Sequence, residues 1–273
     1  MDRALEILIV RHSRPSFAFN FEDRFSCPST YIMQPVNFST VLFSDRDVDL
    51  DPAKYDGVLV FGGAMYVHET HKHPWLVREM NFIERTLKSG VPIVGFCLGG
   101  QLLAHVLGAK VYKLTEPEFG YHSITLTKEG LVSPLFKGFP ESFIGFEWHY
   151  EGFDLPDNAK LLAQSHYWSH QAFSWGSKAF GLQVHLEFSY EHLLSMFEKD
   201  REGIPQGFAS TNSIDETAQD KASAAAIHAS MQQFVTNFAE FASQRKKMAG
   251  ESKYSFRIGQ NEAYQKEFPV RVQ

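Results

Sequence analysis

The chain has 273 residues, ample for a sizeable core, so a small fold that depends on disulfides or a structural metal is excluded. Its 26 basic and 32 acidic side chains leave a net charge of -6 with no long Lys/Arg block, which argues against nucleic acid or an anionic membrane as partner. Two cysteines, Cys27 and Cys97, cannot build a disulfide framework or a thiolate metal site, so any importance they have is individual.

In chain order, the apolar run at 4–10 reads as a buried strand. It is too short for a secretory signal, and no stretch approaches the roughly 18 apolar residues that span a bilayer, so a cytoplasmic protein is expected. Residues 11–50 carry three prolines and admit one or two short elements, around 31–36. A second buried strand covers 56–61 and stops at Gly62-Gly63. Trp75, Leu76, Met80, Ile83 and Leu87 then recur at helical spacing, with Pro74 at the start and Gly90 at the stop. VPIVGF at 91–96 is a third buried strand, followed by a helix over 99–108.

Strand, helix, strand, helix predicts a parallel sheet flanked by helices. From Ala109 to about Leu186 the segments are short and strand-like, which adds antiparallel strands to the same sheet. Helices around 190–199 and 216–245 complete the folded part. The expected organisation is one α/β domain over 1–247 and a C-terminal extension over 248–273.

Cys97 lies where a buried strand runs into a helix, with Gly95 two before it and Gly99 two after. This is the thiol version of a nucleophile elbow, a turn so sharp that its neighbours must be glycine. A helix N-terminus there favours both a thiolate and the oxyanion of acyl transfer. The alternative is a core thiol with glycines for close packing. A thiol nucleophile needs a base and the base an orienting acceptor; in GLQVHLEFS, His185 and Glu187 are two apart after an apolar run. The third element is VFGGAM at 60–65, at the carboxyl end of its strand, so the N–H groups of Gly63 and Leu98 are the expected oxyanion donors.

Those stretches, with EPEFG at 116–120 and FEWHYEGFDLPDNAKLLAQS at 146–165, make most of 55–190 resemble the class I (triad) glutamine amidotransferases. The likeness is strongest to stand-alone members described as GMP-synthase-like. The resemblance implies a flavodoxin-like, mostly parallel (mixed) sheet flanked by helices, and hydrolysis of a γ-glutamyl amide through a glutamyl thioester without a cofactor or metal. It places Cys97 as nucleophile, His185 as base, Glu187 as orienting acid, Gly63 and Leu98 at the oxyanion, and Gln101 against the glutamine side chain.

Two departures stand out. Leu186 replaces the usual proline between the triad His and Glu, and Trp148-His149-Tyr150-Glu151 stands where many members have Ser-His-x-Asp. The second departure, with the absence of a synthase domain, leaves three readings. One is an amidotransferase or glutaminase subunit feeding a separate synthase subunit. Another is a γ-glutamyl peptidase acting on γ-glutamyl conjugates, and the third a silent binding protein on the same scaffold. A homo-oligomer is left open. His68, His71 and His73 are expected in a solvated loop rather than around a metal, and Cys27 as a bystander. Met231, Phe234, Phe238 and Phe241 form a helical stripe expected in the core or at a dimer surface.

Overall fold

A computed structural model describes residues 3–12, 35–45, 48–200, 217 and 220–248. Nine strands form one sheet. In chain order they are β1 (Leu5–Arg11), β2 (Val36–Leu42), β3 (Gly57–Val60), β4 (Ile93–Phe96), β5 (Val111–Leu126), β6 (Ser142–Phe153), β7 (Ala159–Gln164), β8 (Ala172–Trp175) and β9 (Ala179–Leu182). The spatial order is β2-β1-β3-β4-β9-β8-β7-β5-β6. Pairing is parallel from β2 to β9 and antiparallel from β9 onward. The helices are α1 (Trp75–Ser89), α2 (Leu98–Val106), the single turn α3 (Lys128–Leu131), α4 (Tyr190–Asp200) and α5 (Lys221–Met248).

The alternation of side chains along a strand explains the layering. Leu5, Ile7 and Ile9 of β1 enter one core with α5, whereas Leu8 and Val10 enter the other with α1 and α2. Both faces are covered, which is why the parallel strands read as continuous apolar runs. Helix α1 buries Leu76, Met80, Phe82, Ile83 and Leu87 and ends at Gly90, whose φ of 70° is the left-handed cap that glycine adopts without a Cβ clash. The α5 stripe is core: Phe234 packs on Phe96 with ring centroids 5.5 Å apart, and Met231, Phe238 and Phe241 are buried.

Of the short element expected around 31–36, residues 31–34 lie outside the described residues. A strand runs over Val36–Leu42, an edge strand with exposed Asn37, Ser39 and Thr40, whose weak apolar alternation hid it. Cys27 and the stretch 249–273 lie outside the described residues.

Parallel register brings the site together. Val60 pairs with Gly95 and Phe96 with Leu182, so β3, β4 and β9 end along one edge. The segments just beyond them are Gly62-Gly63, Cys97 and His185. Past β9 the chain leaves this pairing, and His185 forms an antiparallel bridge with Phe146 of β6, with hydrogen bonds of 2.9 and 3.0 Å.

Candidate active site

Cys97 is buried at φ 48° and ψ -112°, a region that a residue with a Cβ rarely occupies. Its N–H donates to the Leu182 carbonyl at 2.7 Å and its carbonyl accepts from Gln101 N–H at 2.8 Å, so both sides of the turn are tied down. The strain persists because the surroundings over-determine it. A Cβ on Gly95 would strike the Gly99 carbonyl, and one on Gly99 would strike the Val60 carbonyl.

His185 is buried, and its Nδ1 donates to Glu187 Oε1 at 2.6 Å. Its ring also hydrogen-bonds the Cys97 side chain. Burial alone would push the imidazole pKa down, but the Glu187 carboxylate and then Cys97 outweigh it and hold the ring well above its ordinary value. Phe188 stacks on the ring, centroids 4.5 Å apart and planes 22° off parallel. The Leu186 N–H donates to Glu187 Oε2 at 3.0 Å, a hydrogen bond that proline could not make.

Gly62 and Gly63 lie against these groups: a Cβ on Gly62 would sit 2.9 Å from His185 Cε1 and 3.3 Å from Cys97 Cβ. A Cβ on Gly63 would sit 3.1 Å from Leu98 Cδ2. Leu98 opens α2, where backbone N–H groups have no intrahelical acceptor. Gln101, expected against the substrate, is buried on α2. Its Nε2 donates to the Glu151 carbonyl at 2.9 Å and to Gln183 Oε1 at 3.2 Å, so this amide nitrogen ties α2 to β6. His68 is bound to the Val111 carbonyl at 3.2 Å, and His73 packs near Trp75.

A family model described as glutamine amidotransferase class-I matches residues 32–199, more than half of the chain. The chain belongs to this family. It is 31% identical over 154 residues to the glutamine amidotransferase-like protein YfeJ of Salmonella typhimurium, a match covering 55% of this chain and 64% of that protein. It is 28% identical over 176 residues to γ-glutamyl peptidase 4 of Arabidopsis thaliana, covering 59% and 66% respectively. The chain thus spans just under two thirds of the length of these two relatives. A glutamine amidotransferase from Thermotoga maritima superposes with a TM-score of 0.73 at 25% identity, covering 88% of this chain and all of that one. No helix among the described residues is long and apolar enough to cross a membrane.

One buried polar cluster of this amidotransferase-family chain was not read as a cluster from its sequence. Glu118, Glu147 and His149 present three ligand-type atoms within 4.8 Å of one another. They are the residues best placed to hold a cation, yet two of them are already engaged by hydrogen bonds. Glu118 accepts from His149 Nε2 at 2.8 Å, Ser165 at 2.7 Å and Gln171 at 2.8 Å, while His149 Nδ1 donates to the Glu151 carbonyl at 3.0 Å. Glu147 has only an ion-pair approach of 3.3 Å to His149, and neither of its oxygens accepts a hydrogen bond among the described residues. Glu147 and Gln171 were legible only as isolated polar residues, because they meet Glu118 and His149 through the pairing of β5 with β6 and through a Gln171 hydrogen bond that spans 53 positions.

Burial, and secondarily Glu118, raises the Glu147 pKa from 4.5 to about 7 despite the opposing pull of His149. Between those values the folded state holds a proton that the unfolded chain has released, so stability falls as pH rises from 4.5 to 7 and stays low above. Glu147→Gln, neutral at every pH, is therefore expected to match the parent near pH 4.5 and to exceed it by about 1–3 kcal/mol at pH 8. Thermal unfolding at the two pH values measures this, and equal midpoints at pH 8 would contradict it.

Proposed function

We propose that this amidotransferase-family chain hydrolyses γ-glutamyl amide bonds with Cys97 as nucleophile, His185 as general acid and base, and Glu187 as the group that orients the ring. The single observation that carries the reading is a thiol on a strained, glycine-walled turn facing a histidine that is hydrogen-bonded to Glu187 at 2.6 Å. In this scheme the Cys97 thiolate attacks the amide carbon, and the N–H groups of Gly63 and Leu98 receive the oxyanion. His185 protonates the departing amine, leaving a glutamyl thioester. It then takes a proton from water, whose attack releases glutamate and returns the thiol.

The first substrate reading is glutamine, with the ammonia consumed by a separate synthase subunit. The second is a γ-glutamyl peptide or conjugate. It is favoured by Trp148 and Glu151 in place of the smaller Ser and Asp, and by Glu151 reaching the Val67-His68 segment beyond the oxyanion loop. The likeness to a γ-glutamyl peptidase supports the same reading. We read 1–247 as the catalytic domain and 248–273 as an extension to it. A reactive free thiol suits a reducing compartment such as the cytoplasm.

The test is glutamate release from glutamine, glutathione and other γ-glutamyl amides, run beside Cys97→Ser. Release from γ-glutamyl peptides and not from glutamine selects the second reading. No release from any of them, with no labelling of Cys97 by a glutamine-analogue electrophile, overturns both.

A further inference from the structure

Behind the Gly62-Gly63 turn lies a second buried histidine that the proposed chemistry does not touch. His12 follows β1 directly, at the same edge of the sheet as the ends of β3 and β4. Its Nε2 donates to both oxygens of Glu79 on α1, at 2.9 and 3.1 Å, and both side chains are fully buried. Its Nδ1 donates to the Gly62 carbonyl at 3.1 Å. The ring's neighbours are thus acceptors on both sides, so it carries both protons. Burial opposes this, but Glu79 and the Gly62 and Phe61 carbonyls prevail and raise its pKa. The Trp75 ring covers it, centroids 5.7 Å apart.

The Gly62 carbonyl and the Gly63 N–H belong to one planar peptide unit. Fixing the carbonyl at one end therefore fixes the direction of the N–H at the other. Both residues must be glycine for steric reasons: a Cβ on Gly62 would press on His185, and one on Gly63 would sit 2.7 Å from His12 Cβ. A glycine pair is also the most freely rotating backbone a chain can have. A peptide flip there would turn the N–H away from the reacting carbon. A buried ion pair is a poor source of stability compared with apolar packing, so its position against this carbonyl points to a use other than holding the fold.

We propose that His12, held by Glu79, is a positioning residue of the oxyanion site: it pins and polarises the Gly62–Gly63 peptide so that the Gly63 N–H meets the developing oxyanion. The inference rests on the reading of Gly63 as an oxyanion donor. Hydrogen bonds in series polarise one another, so a charge-assisted bond at the carbonyl strengthens donation from the N–H of the same unit. The path runs from Glu79 through the imidazolium and the Gly62 carbonyl to the Gly63 N–H. The effect belongs to the transition state and not to bound substrate, because the substrate oxygen gains negative charge only as the tetrahedral intermediate forms.

Two substitutions separate this role from simple packing. The amide nitrogen of His12→Asn falls near the position of Nδ1 and can still donate to Gly62. That of His12→Gln falls near Nε2 and keeps only the contact with Glu79. Expected for His12→Gln is a loss of roughly 100-fold in kcat with KM within about threefold, and for His12→Asn a recovery of at least tenfold of that loss. Alkylation of Cys97 by iodoacetamide, which displaces iodide without forming an oxyanion, should stay within about threefold in both.

Unchanged kcat in His12→Gln, a loss that asparagine does not rescue, or a parallel fall in alkylation overturns the proposal. If His12→Gln does not fold, Glu79→Gln takes its place: the ring keeps its Nδ1 proton but loses its charged partner. A fall of about threefold to tenfold in kcat at constant KM is then expected, and parent values for both Glu79→Gln and His12→Asn overturn the proposal. Failure of the parent protein to hydrolyse any γ-glutamyl amide would instead remove the assignment of the site, and with it the inference.

Discussion

Cys97→Ser is expected to lower γ-glutamyl amide hydrolysis by roughly 10⁴-fold or more, with the protein still folded. The serine hydroxyl sits at the same place but is far less acidic than a thiol, so it stays protonated and is a much weaker nucleophile. A glutamine-analogue electrophile should label the parent at Cys97 and leave the variant unlabelled, as peptide mapping by mass spectrometry would show. Activity within tenfold of the parent would remove Cys97 from the mechanism.

The same position carries a stability prediction of the opposite sign. At φ 48° and ψ -112° a side chain costs about 1–3 kcal/mol, which Cys97→Gly relieves, less about 1 kcal/mol for the extra freedom of glycine in the unfolded chain. An inactive protein with an unfolding midpoint at or above that of the parent is expected. A clear fall in the midpoint would show that the turn stores no strain.

Gly95→Ala is expected to be strongly damaging to the turn that carries Cys97. The added Cβ meets the Gly99 carbonyl group and lies 2.6 Å from Gly100 N, and all of these are backbone atoms of the turn itself. No side chain can swing away, so α2 must lift from β4. Overpacking of this kind costs about 3 kcal/mol or more, which at this size lowers the unfolding midpoint by roughly 10 °C. The lifted helix also carries Leu98 and Cys97 out of register with His185. Calorimetry together with Cys97 labelling checks both consequences. A midpoint within about 2 °C of the parent would mean that the elbow has room for the methyl group.

How much of this site was legible in the sequence depended on whether its parts are local. Cys97 with Gly95 and Gly99 is a contact within five residues, and the sharp strand-to-helix turn writes itself into composition. The His185 and Glu187 pairing is local too, although the hydrogen bond that Leu186 contributes was visible only once its N–H was located. That the Gln101 amide nitrogen also ties α2 to β6 was not legible, because the Glu151 carbonyl that accepts from it is 50 residues away. Glu79 did leave a trace: it stands three residues after Leu76 and four before Ile83, a carboxylate on the buried stripe of α1. A charge in such a position requires a partner, but helical spacing does not say which.

By itself, then, the sequence determined the α/β alternation, the two-sided burial of the central strands, the elbow and the histidine–glutamate pair. Each rests on periodicity or on spacings of a few residues, where the chain's own geometry decides which side chains meet. The tertiary structure alone decided that His12 meets Glu79 across 67 positions and that Glu118 meets His149 across 31. Those meetings follow from parallel register and antiparallel pairing over the whole sheet. The burial that drives them is non-directional and depends on the assembled layers, so no short window of sequence encodes the partner.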